Sequence, residues 1–157
     1  MTKQQIVKVL VAMCQQVFKS TAPYDIDAMA AHVEALAAKH RVDPRLALAQ
    51  GILECHWGMN PRASRSIKTM NIFNVGNVDD GRNRFFKSWE EGVSAYFSLM
   101  AREYLYGGEG KDVTPEMMIR HDFIRPRGGR YATAPSYTSD IAKIVARIDK
   151  LIGGKNA

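Results

Sequence analysis

Apolar residues recur about every three to four positions along most of this chain, and this spacing constrains the fold more than any other feature. A stripe with this period is buried when the segment forms a helix, while the opposite face remains in water. The period is lost between residues 59 and 87. The sequence therefore predicts a helical body interrupted by one insert of different structure.

Capping residues predict where the helices begin and end. Asp43 and Pro44 suit the cap and the first position of a helix that Gly58 would terminate. Ser88 opens the capping-box pattern "SWEE", and Thr114 stands before a proline in the same way as Asp43 does. The predicted helices cover residues 3–18, 26–40, 44–57 and 89–106, a short segment from 115, and residues 138–152.

The insert at 59–87 is predicted to be a small β-lobe. "NIFNV" (71–75) and "RFFKSW" (84–89) have the composition of short strands, and "NVDDG" (77–81) between them supplies turn residues. The expected fold class is α+β, mainly helical, with the β-lobe inserted between helices. The length of 157 residues suits one domain that covers the chain from 1 to 157. A cleft is expected where the lobe meets the helical body.

The net charge of +6 favours an anionic partner, which includes nucleic acid, anionic lipid and acidic cell-wall polymers. The chain carries no helix-turn-helix, zinc-finger or RNA-binding signature, so a nucleic-acid partner is not expected. No run approaches the ~20 apolar residues that span a bilayer. Lys8 interrupts the apolar run near the start and no small-residue cleavage site follows, which predicts an amphipathic helix and no signal peptide.

The stretch "GILECHWGMN" (51–60) holds the densest group of reactive side chains. Glu54 lies in the last turns of a buried helix, near the negative end of the helix dipole, and both conditions raise a carboxyl pKa. Cys55 and His56 point about 100° apart on a helix and do not readily share a metal ion. No Cys-x-x-Cys or His-x-x-x-His spacing completes a site, so no metal or other cofactor is expected. A thiol nucleophile, with His121 as its base, remains an alternative.

The only other cysteine is Cys14. Two cysteines do not make a disulfide framework, and two free thiols are expected in a reducing compartment. A single bridge between Cys14 and Cys55 remains the alternative.

Segments in a defined order resemble a known family: "ECHWG" (54–58), "NIFNVGN" (71–77), "SWEEGVSAYFSLM" (88–100) and "YATAPSY" (131–137). They are similar to the bacterial and phage N-acetylglucosaminidase domains that cut peptidoglycan, within the lysozyme-like superfamily. The resemblance covers about residues 43–150. It implies a lysozyme-like fold, no metal, and hydrolysis of the β-1,4 bond that follows N-acetylglucosamine.

The resemblance also implies roles for individual residues. Glu54 would be the catalytic acid, Trp57 would shape the cleft floor beside it, and Tyr131 would stand across the cleft. The sequence departs from the family at Cys55, where a small hydroxyl residue is usual, and at Ala134, where many relatives carry Asp.

The sequence leaves several candidates for the group that supplies or activates the nucleophile. Asp79 or Asp80 in the predicted turn is a candidate second carboxylate, and both also suit a turn without any catalytic role. A separation of ~6.5–9.5 Å from Glu54 would indicate inversion and ~5–5.5 Å retention, while the substrate's own 2-acetamido group is a third nucleophile. The same fold supports lytic transglycosylases and muramidases.

Sugar binding is predicted from aromatic and amide side chains, and acidic peptide stems are expected to be attracted by a basic segment. The candidates for sugar contacts are Trp57, Phe73, Asn74, Tyr131 and Tyr137; the basic residues are Arg120, Arg125, Arg127 and Arg130.

The predicted function is a monomeric peptidoglycan hydrolase that binds glycan strands. Because that substrate lies outside the cytoplasmic membrane and no export signal is visible, a phage lysin, a virion-associated protein or a component of a secretion assembly is expected. A non-catalytic module that binds cell wall or nucleic acid is the alternative.

Overall fold

The computed structural model describes residues 1–76, 84–106 and 112–153, and these are mainly helical. In chain order the elements are α1 (Lys3–Leu10), a π-helical turn (Val11–Gln15), α2 (Gln16–Phe18), α3 (Ile26–His40), α4 (Pro44–Cys55), α5 (Ser64–Thr69), α6 (Trp89–Glu103), α7 (Pro115–Arg120) and α8 (Tyr137–Leu151). None of the described helices has the length and apolarity needed to cross a bilayer.

Helix starts fall where the capping residues predict. The Asp43 side chain accepts a hydrogen bond from the Arg45 backbone N–H, and Pro44 is the first residue of α4. The Thr114 hydroxyl caps α7 and the Ser88 hydroxyl caps α6 in the same way. These groups satisfy backbone donors that a helix leaves unpaired at its amino end, which is why a local sequence signal is sufficient.

The end of α4 differs from the prediction. The helix stops at Cys55 and not at Gly58, because His56 and Trp57 already adopt left-handed backbone conformations with φ of 49° and 54°. The His56 and Trp57 N–H groups donate to carbonyls of Ile52 and Gly51, 3.0 Å away in each case. These bonds satisfy carbonyls of the last turn of α4, so the strained backbone closes the helix.

The predicted β-lobe is wrong for the part of the insert that the structure describes. No strand forms at 59–76 or 84–87, and residues 64–69 are helical. The Asn71 side chain explains this result: its Nδ2 donates to the Val75 carbonyl at 3.0 Å, and its Oδ1 accepts from the Val75 N–H at 2.9 Å. The Asn71 side chain thus occupies the N–H and the carbonyl of Val75, the two backbone groups that would otherwise bond a neighbouring strand. The predicted turn at 77–81 lies outside the described residues.

One hydrophobic cluster takes buried residues from α1, α3, α4, α6, α7 and α8. Helix α4 packs against α8, and its residues from Leu46 to Ile52 are all buried. A cation anchors its amino end, since Arg45 pairs with Asp43 at 2.8 Å and with Asp149 of α8 at 3.2 Å. The carboxyl end of α4, which carries Glu54, is therefore held on a rigid scaffold.

Candidate active site

Glu54 lies in the last turn of α4 with its side chain half-buried. Burial raises the pKa of this carboxyl group. The Asn74 amide opposes part of that effect, because its Nδ2 donates to Glu54 Oε2 at 2.9 Å and stabilises the charged form. The site therefore contains a carboxyl group that holds its proton to higher pH than a solvated glutamate.

Aromatic packing of Phe73 fixes the loop that carries Asn74. The Phe73 ring stacks on Tyr96 of α6 with ring centroids 3.8 Å apart, and meets the edge of Trp57 at 5.4 Å. Asn74 itself has a left-handed backbone with φ of 55°. Asparagine tolerates this conformation better than most residues. Packing and backbone conformation together aim the Asn74 amide at Glu54.

Tyr131 bonds to the same loop. Its hydroxyl donates to the Phe73 carbonyl at 3.2 Å, and its backbone N–H donates to the Phe123 carbonyl at 2.8 Å. Burial is the main cause that raises the Tyr131 pKa, and the Glu54 charge adds to it. A neutral phenol and Glu54 are thus brought together around Phe73 and Asn74.

Gln50 is a site residue that sequence reasoning missed. It is fully buried one helical turn before Glu54, so both side chains project from one face of α4. Its Nε2 donates to the Tyr137 hydroxyl at 2.9 Å, and its Oε1 accepts from the Tyr96 hydroxyl at 2.5 Å. The available signal was a single amide inside the apolar run "LALAQGIL", since a buried polar side chain needs partners.

Three of the residues expected to touch sugar lie in the core. The exposed fraction is 0% for Trp57, 1% for Phe73 and 3% for Tyr137, so none offers a ring face to a glycan in this structure. Trp57 Nε1 donates to the Leu48 carbonyl at 3.2 Å, and the indole packs on Gly51, where a Cβ would lie 2.3 Å from Nε1. The contacts of the Trp57 indole with Leu48 and Gly51 hold the end of α4, next to Glu54, in place.

Both thiols are free and buried. Burial raises the pKa of Cys55 to about 11 and raises that of Cys14 as well. The Gly58 N–H donates to Cys55 Sγ at 3.2 Å, which ties the thiol to the turn after α4. His121, the proposed base for a thiol nucleophile, stacks on Tyr106 with ring centroids 3.8 Å apart. The geometry favours a packing role for Cys55.

The basic segment is largely engaged with the protein. Arg127 pairs with Glu103 at 2.7 Å. Arg130 donates to the backbone carbonyls of Ala132 at 2.8 Å and Ala134 at 2.7 Å, and pairs with Asp122 at 3.2 Å. Arg130 therefore orders the loop at Ala134.

Asp79 and Asp80 lie outside the described residues, so the second carboxylate stays a prediction. Within the described ranges, the structure contains no group of His, Cys, Asp and Glu side chains that could hold a metal ion.

A half-buried carboxyl group with a raised pKa is the kind of group that glycoside hydrolases use to protonate a leaving oxygen. Sequence comparison agrees with that class. The family described as mannosyl-glycoprotein endo-beta-N-acetylglucosaminidase matches residues 30–150. The chain belongs to this glucosaminidase family and is a glycoside hydrolase, which confirms the resemblance found in the sequence. A search among curated proteins found no significant match.

Proposed function

We propose that this protein hydrolyses the β-1,4 glycosidic bond after N-acetylglucosamine in peptidoglycan, with Glu54 as the general acid. The observation that carries the proposal is the 2.9 Å hydrogen bond from Asn74 to a half-buried carboxyl group of raised pKa. Membership of the glucosaminidase family supplies the substrate class, a glycan.

The chemistry follows from the two forms of Glu54. The protonated carboxyl group gives its proton to the glycosidic oxygen while the bond from that oxygen to the anomeric carbon breaks. The carboxylate that remains accepts the hydrogen bond from Asn74, which is stronger once the acceptor is charged. Burial favours the protonated form of the acid before the step, and Asn74 stabilises its conjugate base afterwards.

Tyr131 acts, in this proposal, on the substrate side of Glu54. Its hydroxyl proton is committed to the Phe73 carbonyl, so its oxygen is left to accept from a water or a sugar hydroxyl. The nucleophile is water activated by Asp79 or Asp80, or the substrate's acetamido group. Asn74 is the sugar-binding candidate that the geometry supports best, because its side chain is only partly buried beside the acid.

The setting is part of the proposal. The helical body and the position of Glu54 at the end of a buried helix support a lysozyme-like fold that forms one domain. A peptidoglycan substrate places the action at the cell wall, as a monomeric phage lysin, a virion-associated protein or part of a secretion assembly.

Mass spectrometry of the sugars released from purified peptidoglycan tests this function. We expect products with N-acetylglucosamine at the new reducing end. N-acetylmuramic acid there would mean a muramidase, and an anhydro sugar a transglycosylase. Binding to the wall without any released sugar would favour a non-catalytic module and overturn the proposal.

A further inference from the structure

A second cavity lies between the π-helical turn and the last turns of α8, and it shares no residue with the candidate active site. Its volume is about 550 Å³, and its lining residues are Ala12, Met13, Arg147, Lys150 and Leu151. Pockets of about 300–1,000 Å³ are the size that holds small ligands. The cavity is therefore large enough for a ligand that carries several chemical groups.

The π-helical turn forms one wall of this cavity. It covers Val11–Gln15 and directly follows α1. π-Helical turns are rare and frequently occur at functional sites. Met13 and Cys14 of this turn belong to the hydrophobic core, so packing holds the turn in place. The wall is thus part of the fold before any ligand binds.

The α8 side of the cavity carries two cations. Arg147 and Lys150 are exposed and lie three residues apart, so their side chains are neighbours on the helix. Across the described ranges, neither side chain forms an ion pair or a hydrogen bond. Asp149, the one acid between them, is bound by Arg45 at 3.2 Å. Both positive charges are therefore available to an anionic ligand.

The rest of the lining is apolar. Met13 is only 7% exposed, and Ala12 and Leu151 are half-buried side chains that pack against the core. An inorganic anion would pair with the two cations and leave this apolar surface in water. A ligand that carries a carboxylate next to small apolar groups would use both parts of the lining. The cavity favours a ligand of that second kind.

We propose that this cavity binds the carboxylate end of a peptide stem of peptidoglycan. Arg147 and Lys150 pair with the carboxylate, and the apolar lining contacts the methyl groups of the alanines that precede it. The inference rests on the proposed function, which supplies a substrate with peptide stems, and deepens it by adding a second contact with that substrate.

The contact would act on substrate affinity. Helix α8 packs on α4, the helix that carries Glu54, so the cavity and the acid belong to one scaffold. A glycan strand carries many stems, so a strand bound at one site presents its stems to the other at high effective concentration. Because the cavity does not touch Glu54, losing the contact should raise KM and leave kcat nearly unchanged.

Titration of the protein with a synthetic stem peptide tests the inference without any catalysis. NMR signals of the Met13 methyl group and the Arg147 side chain should shift together and saturate. Amidation of the peptide carboxyl groups, Arg147→Gln and Lys150→Gln should each weaken binding about tenfold. Lys143→Gln is the matched control, because it removes an exposed charge one turn earlier on α8 and outside the cavity. It should leave binding nearly unchanged.

Equal weakening by Lys143→Gln would show a general attraction of the basic surface and would overturn the inference. A Met13 signal that does not move would do the same. So would saturation by inorganic phosphate, or by vesicles of an anionic phospholipid, at lower concentration than by the peptide.

Enzyme kinetics separate this inference from the proposed function. Arg147→Gln should raise KM for intact peptidoglycan about fivefold or more, with no change for glycan strands from which the stems have been removed. Equal KM changes on the two substrates would contradict a stem contact. If the wild-type protein cuts neither substrate, the proposed function fails, while the peptide titration still decides whether the cavity binds a stem.

Discussion

Asn74 donates a hydrogen bond across 2.9 Å to Glu54, and so joins a loop that follows α5 to the last turn of α4. The two residues are far apart in sequence, and both project from rigid supports. Asn74 follows the Phe73 ring stacked on Tyr96, and Glu54 ends a helix packed in the core. This pair sets the acidity on which the proposed reaction depends, and the following predictions test it and its support.

Replacing Asn74 by Gly should move the basic limb of the kcat/KM profile to higher pH. The acid must be protonated to act, so activity is lost as pH rises through the Glu54 pKa. Removing the amide donor takes away a group that lowers this pKa. Glycine accepts the backbone φ of 55° without strain, so the fold should be retained. A basic limb that stays in place or moves to lower pH would contradict the account.

Replacing Glu54 by Gln should stabilise the fold at neutral pH. Burial raises the Glu54 pKa above that of a solvated glutamate. This residue therefore contributes its stability at pH values below the solvated pKa and loses it as pH rises through the folded-state pKa. A neutral amide avoids the loss. Calorimetry at pH 7 should show a gain in Tm of about 1–4 °C.

The same comparison at pH 4 is the control. At that pH most wild-type molecules carry a protonated Glu54 in both the folded and the unfolded state, so the difference in Tm should shrink. A variant that is less stable than wild type at pH 7 would show that burial of the Glu54 carboxylate does not destabilise the fold.

Replacing Cys55 by Ser should leave glycan cleavage within about threefold of wild type, since a loss of one buried packing group does not remove the acid. A serine hydroxyl can still accept from the Gly58 N–H. Native protein should also resist thiol reagents at pH 8, because burial raises the Cys55 pKa to about 11. Abolished activity in Cys55→Ser would support a thiol nucleophile.

Replacing Gly51 by Ala should destabilise the fold by about 1–3 kcal/mol in urea titration, as overpacked cores do. The added Cβ would lie 2.3 Å from Trp57 Nε1, so the indole must leave the Leu48 carbonyl. Ala35→Ser in α3 is the control, since it also adds one heavy atom to a helical residue, but on an exposed side chain. Equal effects of the two substitutions would show that the Trp57 packing is not tight.

Local signals explain what the sequence predicted correctly. A helix cap such as Asp43 or Thr114 satisfies backbone donors in the first turn of its own helix. The start of the helix can therefore be predicted without the tertiary structure. Glu54 is proposed as the acid because its place at the end of a buried helix and the family pattern point to the same residue, and this role stays a prediction.

The errors come from interactions that are set by packing. The strand pattern at 71–75 did not reveal that Asn71 bonds the Val75 backbone itself. Tryptophan is a residue type that often stacks on sugar rings. The Trp57 indole is nevertheless buried, because Gly51 has no side chain and the indole packs against α4 at that position. Gln50 was missed because its partners, Tyr96 and Tyr137, are distant in sequence.

The release of reducing sugar from purified peptidoglycan, measured for wild type, Glu54→Gln and Glu34→Gln, tests the central claim most directly. Glu34 is an exposed helical glutamate whose side chain accepts from the Lys3 N–H, so Glu34→Gln makes the same chemical change away from the site. We predict full activity for wild type and Glu34→Gln, and a loss of at least about 100-fold for Glu54→Gln without loss of fold. Wild-type rates in a folded Glu54→Gln variant would contradict the assignment of Glu54 as the acid.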